Sequence, residues 1–360
     1  MIDPAPWFRP PRWASGPHGQ TLAGHLLRRS GGLAVRRERF ELPDGDFVDL
    51  DWFAAMPMPA GVAGTSAESD GRCGAPLVLL LHGLEGSARS GYIRSVARAV
   101  LAAGGAAVAL NFRGCSGEPN RLPRAYHAGE IGDLDQVVAE LRRRESARVA
   151  ANRAGDALPR LSVVGFSLGG NVLLRWLGEH CAAAREQIAA AAAVSVPFDL
   201  AAGADWTAVG PGRLYAVRLL RELRRKVGRK AGQLAAAAAR DERAARVDLA
   251  RALRARTFRE FDEAYTAPVH GFRDADDYYA RSSSAGVLAR IAVPTLVVHA
   301  LDDPFLPAPA VPFAALAANP SLQAWVAPTG GHVGFVTGRP WAPRFAADQA
   351  VAEYVVPRGR

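Results

Sequence analysis

The chain has 360 residues, 49% of them apolar and 22% charged, with a formal charge of +9. That length and balance suit a soluble globular protein with one large α/β domain carrying an insertion, or two modest domains. No apolar run approaches membrane-spanning length. Prolines interrupt "MIDPAPWFRPPRW", where a signal peptide would carry its apolar segment, so a cytoplasmic protein is expected. Cys73, Cys115 and Cys181 are far apart and lack C-x-x-C spacing, which argues for small buried thiols rather than a disulfide framework or a zinc site.

Taken in order, "LAVRRERFEL" and "FVDLDWFA" read as two strands around the turn Pro43-Asp44-Gly45-Asp46. Residues 60 to 75, rich in Gly, Ala and Ser, read as a surface loop. "PLVLLLHG" is an apolar run of the kind covered on both faces. A helix ("YIRSVARAVLAAG"), a strand ("AAVALNFRG") and a helix ("DLDQVVAELRRR") follow, then a polar loop over 145 to 160. The strand from Leu161 to Gly165, the helix around Val172 to Leu177, and the strand "AAAAVSVP" continue the alternation. That rhythm specifies a mostly parallel twisted sheet flanked by helices. It breaks from about 200 to 285, where only helices and turns are expected. It resumes with "TLVVHA", a helix near 309 to 318, "LQAWVA" and a last helix from about 343 to 355. The expected organisation is a core of residues 1–200 and 286–360 with a helical cap inserted at 201–285.

The chemistry concentrates at Gly165-Phe166-Ser167-Leu168-Gly169. A serine at a sharp strand-to-helix turn needs glycine on both sides, because a Cβ there would clash with backbone. This is the nucleophile-elbow pattern G-x-S-x-G, provided an acid and then a histidine follow. Of the eight histidines only His332, in "PTGGHVGFV", lies beyond the final sheet strand, so it is the expected base. The acid is expected after "TLVVHA", in "LDDPFLP". Asp303, three residues past Ala300, is favoured, with Asp302 and, behind it, Asp199 as alternatives. The oxyanion donors are expected to be the backbone amides of Leu168, at a helix N-terminus, and Leu84, in the loop after "LLLHG". His82 is read as a residue that holds that loop. Cys115 lacks a base and is not read as a nucleophile.

These stretches resemble the YheT-like branch of the α/β-hydrolases, a group that includes eukaryotic ABHD-type lipases and fungal medium-chain ester synthases. The likeness is carried by "HGQTL", "LLLHGLEGSARSGYIR", "LNFRGCSGEPNR", "GFSLGGN", "TFREFDEAYTAPVHGFRDADDYYARSSS", "VPTLVVHALDDPF" and the segment around "GGHVGF". The stretch ending in Tyr278-Tyr279 is the most specific to that branch. The resemblance implies a Ser-Asp-His triad acting on acyl esters, falling on Ser167, Asp303 and His332. Asp276, Asp277, Tyr278 and Tyr279 are expected to tie the end of the cap to the core. The Ala/Arg-rich 228 to 250 region departs from the family's pattern.

From Arg213 to Arg259 there are fifteen Lys or Arg against four Asp or Glu, which leaves the rest of the chain near neutrality. "RLYAVRLLRELRRKVGRK" reads as an amphipathic basic helix with Leu214, Val217, Leu220, Leu223 and Val227 facing the core and its cations in water. Weak peripheral membrane contact is the most that this charge is expected to bring, and nucleic acid is not an expected partner. The expected function is hydrolysis of small-molecule carboxylic esters through an acyl-enzyme, with no metal or organic cofactor. Acyl transfer to an alcohol by the same triad is the near alternative, and a non-catalytic binding protein on this scaffold is the alternative from another class.

Overall fold

The computed structural model describes residues 2–3, 8–28, 31–55, 75–151 and 161–356. A nine-stranded sheet runs through its centre in the order β1-β9-β8-β7-β6-β4-β5-β3-β2. The strands are β1 (Ile2–Asp3), β2 (Leu33–Glu41), β3 (Phe47–Ala55), β4 (Leu77–Leu81), β5 (Ala106–Asn111), β6 (Leu161–Phe166), β7 (Ala190–Val194), β8 (Thr295–Ala300) and β9 (Leu322–Ala327). β2–β3 and β3–β5 are antiparallel and the other pairs are parallel. β4, β6 and β8 are buried along their whole length, as apolar strands covered on both faces must be. One face carries α3 (Gly132–Ala151) and α4 (Leu168–His180), which contribute Leu134, Val138, Val172 and Trp176 to one core. The other carries α2 (Gly91–Ala102) and α15 (Ala346–Val355), with Ile93, Val96, Val351 and Val355.

Several expectations need correction. Residues 145 to 151 continue α3 instead of opening a loop, since "ESARVAA" is good helix former and Arg144 pairs with Glu140 one turn back. Residues 152–160 and 60–74 of the two expected loops, and Cys73, lie outside the described residues. A two-stranded hairpin, β10 (Val336–Arg339) with β11 (Ala342–Phe345), fills the start of the expected last helix, because the turn at Pro340-Trp341 sends the chain back. An N-terminal helix, α1 (Gly16–Leu27), was not expected at all. Cys115 is buried, whereas Cys181, just past the end of α4, is only half-buried.

The short α5 (Ala184–Gln187) precedes β7. Between β7 and β8 lie α6 (Leu200–Ala208), α7 (Gly212–Arg229), α8 (Ala231–Ala238), α9 (Glu242–Ala245), α10 (Leu249–Arg254), α11 (Phe258–Phe261), α12 (Ala267–His270) and α13 (Ala275–Ser282). No strand occurs among the described residues there. α14 (Phe313–Ala318) links β8 to β9. No helix among the described residues is long and apolar enough to cross a membrane.

α7 departs from its expected orientation. Leu220 and Val227 are buried with Ala216 and Gly212, but Leu214 is 78% and Val217 42% exposed. Steps of three residues fall short of a 3.6-residue turn, so the row 214, 217, 220, 223 rotates by about 180° around the helix. Leu214 and Leu223 therefore lie on opposite faces. The lysines depart as well. Lys226 and Lys230, the only two in the chain, turn inward instead of into water.

Candidate active site

β4 sits between β5 and β6, so the chain builds outward on one side of β4 and then returns to its other side. Such a reversal opens a crevice at the carboxyl ends of the strands. Leu81 pairs with Gly165 in register there, which brings the loop after β4 against the turn after β6. Ser167 occupies that turn at φ 50° and ψ −121°, a conformation that costs a non-glycine residue about 1–3 kcal/mol. Its amide is held by a 2.8 Å hydrogen bond to the Val194 carbonyl. A Cβ on Gly169 would stand 2.5 Å from the His82 carbonyl oxygen, and one on Gly165 would collide with the Gly169 carbonyl. Glycine at both positions is what lets α4 start so close to β4.

His332 lies in the loop after β9 with its Nε2 3.0 Å from the Ser167 hydroxyl and its Nδ1 2.7 Å from Asp303 Oδ2. A carboxylate only accepts hydrogen bonds, so Nδ1 carries the proton and Nε2 is free to accept from the serine. Asp303 is buried, and its other oxygen accepts from the Phe305 amide at 2.8 Å. Its neighbour Asp302 points elsewhere. One oxygen accepts from the Gly331 amide at 2.9 Å and the other is buried without a partner, and burial raises its pKa. Asp199 caps α6 through the Ala202 amide and takes no part. Of the three candidate acids, only Asp303 meets the histidine.

The amides of Leu84 and Leu168 donate to no acceptor among the described residues. The Leu84 amide is oriented indirectly. His82 is fully buried, which pulls its pKa down to about 3 and keeps it neutral. Its Nε2 accepts from the Phe112 amide at 3.1 Å, so its Nδ1 donates to the Gly83 carbonyl at 2.7 Å. That carbonyl belongs to the same planar trans peptide as the Leu84 N–H, and pinning one directs the other the opposite way. His82 thus holds the loop, as its position in the sequence suggested.

Backbone strain marks the same place. Six described non-glycine residues have positive φ, and five of them surround Ser167: Glu85, Ser167 itself, Ser195, Val333 and Phe335. For a β-branched residue such as Val333 this is a true outlier. The loop holding it is tied down by α1, which sequence reasoning missed. Thr21 Oγ1 accepts from the His332 amide at 2.9 Å, and Gln20 Oε1 from the Val336 amide at 2.7 Å. Arg28 donates to the Val333 carbonyl at 2.7 Å and forms a buried two-bond pair with Asp348. Ser195 Oγ accepts from the Val333 amide at 3.0 Å. The only hint was "HGQTL", whose glycine and absence of charge conceal a helix.

Ser167 and His332 open into a cavity of about 770 Å³ roofed by α7 and α11 through Leu219, Leu223, Phe258 and Phe261. The half-buried Lys226 donates to Glu85 at 2.9 Å and to the Cys115 thiol at 3.0 Å, which joins α7 to the loop bearing Leu84. Burial lifts the Cys115 thiol to about 11, so it stays protonated. Lys230 donates to the Asn120 side chain and to the carbonyls of Leu122 (2.8 Å) and Arg124 (3.0 Å). Burial lowers its pKa to about 7, and these acceptors oppose loss of the proton. Tyr278 accepts from the Ala128 amide, while Tyr279 donates to Asp262 on a π-helical turn over Asp262–Thr266. Asp276 pairs with Arg259, and Asp277 with Arg273 and Arg281. Of that quartet only Tyr278 reaches across to the residues preceding β6.

Comparison with known proteins gives the family. The alpha/beta hydrolase fold family matches residues 76–339. A candidate esterase of Escherichia coli, YheT, is 35% identical over 352 residues, 97% of this chain and 92% of its own. Phospholipase ABHD3 of Mus musculus is 28% identical over 92% of this chain and 74% of its own. Monoacylglycerol lipase of Saccharomyces cerevisiae is 30% identical over 74% and 57%.

Proposed function

The chain belongs to the YheT-like branch of the α/β-hydrolases, and from that membership we propose that it is a serine carboxylic ester hydrolase working through an acyl-enzyme. The observation that carries this reading is the unbroken hydrogen-bonded run from the Ser167 hydroxyl through His332 to Asp303. Ser167 Oγ attacks the acyl carbon while its proton passes to His332 Nε2. The imidazolium so formed is stabilised by the buried Asp303 carboxylate. The carbonyl oxygen becomes an oxyanion held by the Leu84 and Leu168 amides, the latter at the positive end of α4. Collapse of the tetrahedral intermediate breaks the ester C–O bond, and His332 Nε2 returns its proton to the departing alcohol. Water then repeats the sequence and frees the acid.

Residues 201–285 act as a cap whose apolar inner side accommodates the acyl chain. A cavity of this volume, with Leu219, Leu223, Phe258 and Phe261 in its lining, has the room and the apolar surface for a fatty acyl group. The names of the relatives, a phospholipase and a monoacylglycerol lipase among them, point the same way. The test is a fluorophosphonate probe together with p-nitrophenyl esters of increasing chain length. Wild type should be labelled once and turn the esters over. Ser167→Ala should lose both, and labelling of that variant at another residue would refute the assignment.

A further inference from the structure

Two helices that border the cavity mouth turn apolar side chains into water. On α7 these are Leu214 and Val217, and on α1 they are Leu22 and Leu26, 47% and 72% exposed. The helices adjoin each other. His18 Nδ1 lies 3.1 Å from the Tyr215 hydroxyl with the rings stacked, and Arg218 lies 3.3 Å from His25 Nε2. Thr21, Leu22 and His25 of α1 line the same cavity as Ser167 and His332, and so do Tyr215, Arg218 and Leu219 of α7. Scattered apolar residues are ordinary on a surface, but four on adjoining helices at the mouth of a cavity form a patch.

The patch is framed in positive charge. At 3.6 residues per turn, Arg213, Arg218, Arg221 and Arg225 share with Leu214 and Val217 an arc of about 140° on α7. All four are exposed, and the helix's single acidic residue, Glu222, pairs with Arg225. We propose that this α1–α7 face docks the protein on an anionic lipid surface, and that its substrates are acyl lipids drawn from that surface through the opening between the two helices. The substrate half rests on the hydrolase reading above, whereas the docking half does not. Apolar groups flanked by arginines match an interface with a hydrocarbon layer beneath a charged one. A nucleic acid has no such layer for Leu214 and Leu26 to enter. A two-fold pairing of the face with itself would set the same arginines against each other.

Flotation with phosphatidylcholine vesicles, with and without phosphatidylglycerol, reads the docking. The variants are Leu214→Asp, Leu26→Asp and the double reversal Arg213→Glu/Arg221→Glu, all at exposed positions. Each arginine near an anionic surface contributes roughly five-fold in partitioning, and a leucine side chain moved into hydrocarbon at least about ten-fold. Wild type should therefore prefer the anionic vesicles by more than ten-fold at low salt. Each aspartate variant should lose about ten-fold, and the double reversal should abolish the preference. Turnover of a short soluble ester should stay within about two-fold throughout, since none of these residues touches the triad. Turnover of a vesicle-borne acylglycerol should fall in step with binding. Equal binding to both vesicle types, or variants that bind as wild type does, would overturn the proposal. So would concentration-dependent dimers that Leu214→Asp dissolves, because the face would then belong to a second copy. If no ester is hydrolysed while binding follows the variants, the hydrolase reading fails and the docking surface stands.

Discussion

Replacing Asp303 with asparagine keeps the shape of the acid and removes its charge. During catalysis His332 becomes an imidazolium beside that carboxylate, with 2.7 Å between Nδ1 and Oδ2. With charge centres about 4 Å apart and an effective dielectric near 20, the lost attraction is about 4 kcal/mol, or roughly 10³-fold in rate. The amide can also turn its NH₂ towards Nδ1, which favours the wrong tautomer and brings the expected loss to about 10³- to 10⁴-fold in kcat. Asp302→Asn is the matched control. Its carboxamide would keep an oxygen for the Gly331 amide, so the cost should stay below about ten-fold. The assay is steady-state turnover of a short p-nitrophenyl ester, with thermal unfolding followed in parallel. A larger kcat loss for Asp302→Asn at unchanged stability would refute the assignment of the acid.

Lys226→Met leaves the buried Glu85 side chain without its cation, with the Tyr126 hydroxyl as its remaining donor, so the melting temperature should drop, with a stability loss of about 1–3 kcal/mol. Adding Glu85→Gln should recover most of it, as a double-mutant cycle in urea would measure. Gly169→Ala pushes a methyl into the His82 carbonyl, and soluble expression and turnover should both collapse, at a cost of about 1–3 kcal/mol or more. His82 and His299 are buried and His127 nearly so, and desolvation keeps them neutral, with pKa values lowered to about 3, 4 and 3. The unfolded chain takes up these protons below about pH 6.5 and the folded one does not, so stability is complete above that pH. It should fall on acidification by up to about 1.4 kcal/mol per pH unit for each histidine. Urea midpoints across that range should show a shallower slope for His127→Asn, and an unchanged slope would remove His127 from the account.

The site was legible where chemistry and backbone geometry impose a local pattern. Gly165 and Gly169 are needed because α4 abuts backbone, and that requirement is written within five residues. His332 could be found because it is the one histidine past the last sheet strand, and Asp303 was preferred to Asp302 for its spacing, three residues past Ala300. What stayed hidden depends on contacts distant in sequence. α1 resembles a loop because its stability comes from Gln20, Thr21 and Arg28 reaching residues more than 300 positions away. Leu214 and Val217 of α7 were misassigned because an i, i+3 row mimics an amphipathic stripe while drifting around the helix. The inward turn of Lys226 and Lys230 has no local signature, since it requires Glu85 and Asn120 from other loops.

The strain and these distant contacts are two sides of one arrangement. Ser167, Ser195, Val333 and Phe335 each hold a backbone conformation that costs about 1–3 kcal/mol on its own. An isolated loop would relax out of such a shape. It persists because Ser195 binds the Val333 amide, Arg28 the Val333 carbonyl and Thr21 the His332 amide. α1 and the loop after β7 thereby fix the position of His332 without touching Ser167. Thr21→Val, which keeps the shape and removes the acceptor, should therefore lower kcat several-fold, because a buried N–H loses about 1–3 kcal/mol of hydrogen bonding and the imidazole loses its registry with the serine. The KM for a short ester should hardly change, since valine keeps the shape of the cavity wall and the lost hydrogen bond is to the His332 amide. A rise in KM with kcat intact would mean that α1 shapes the substrate's path and leaves the catalytic geometry alone.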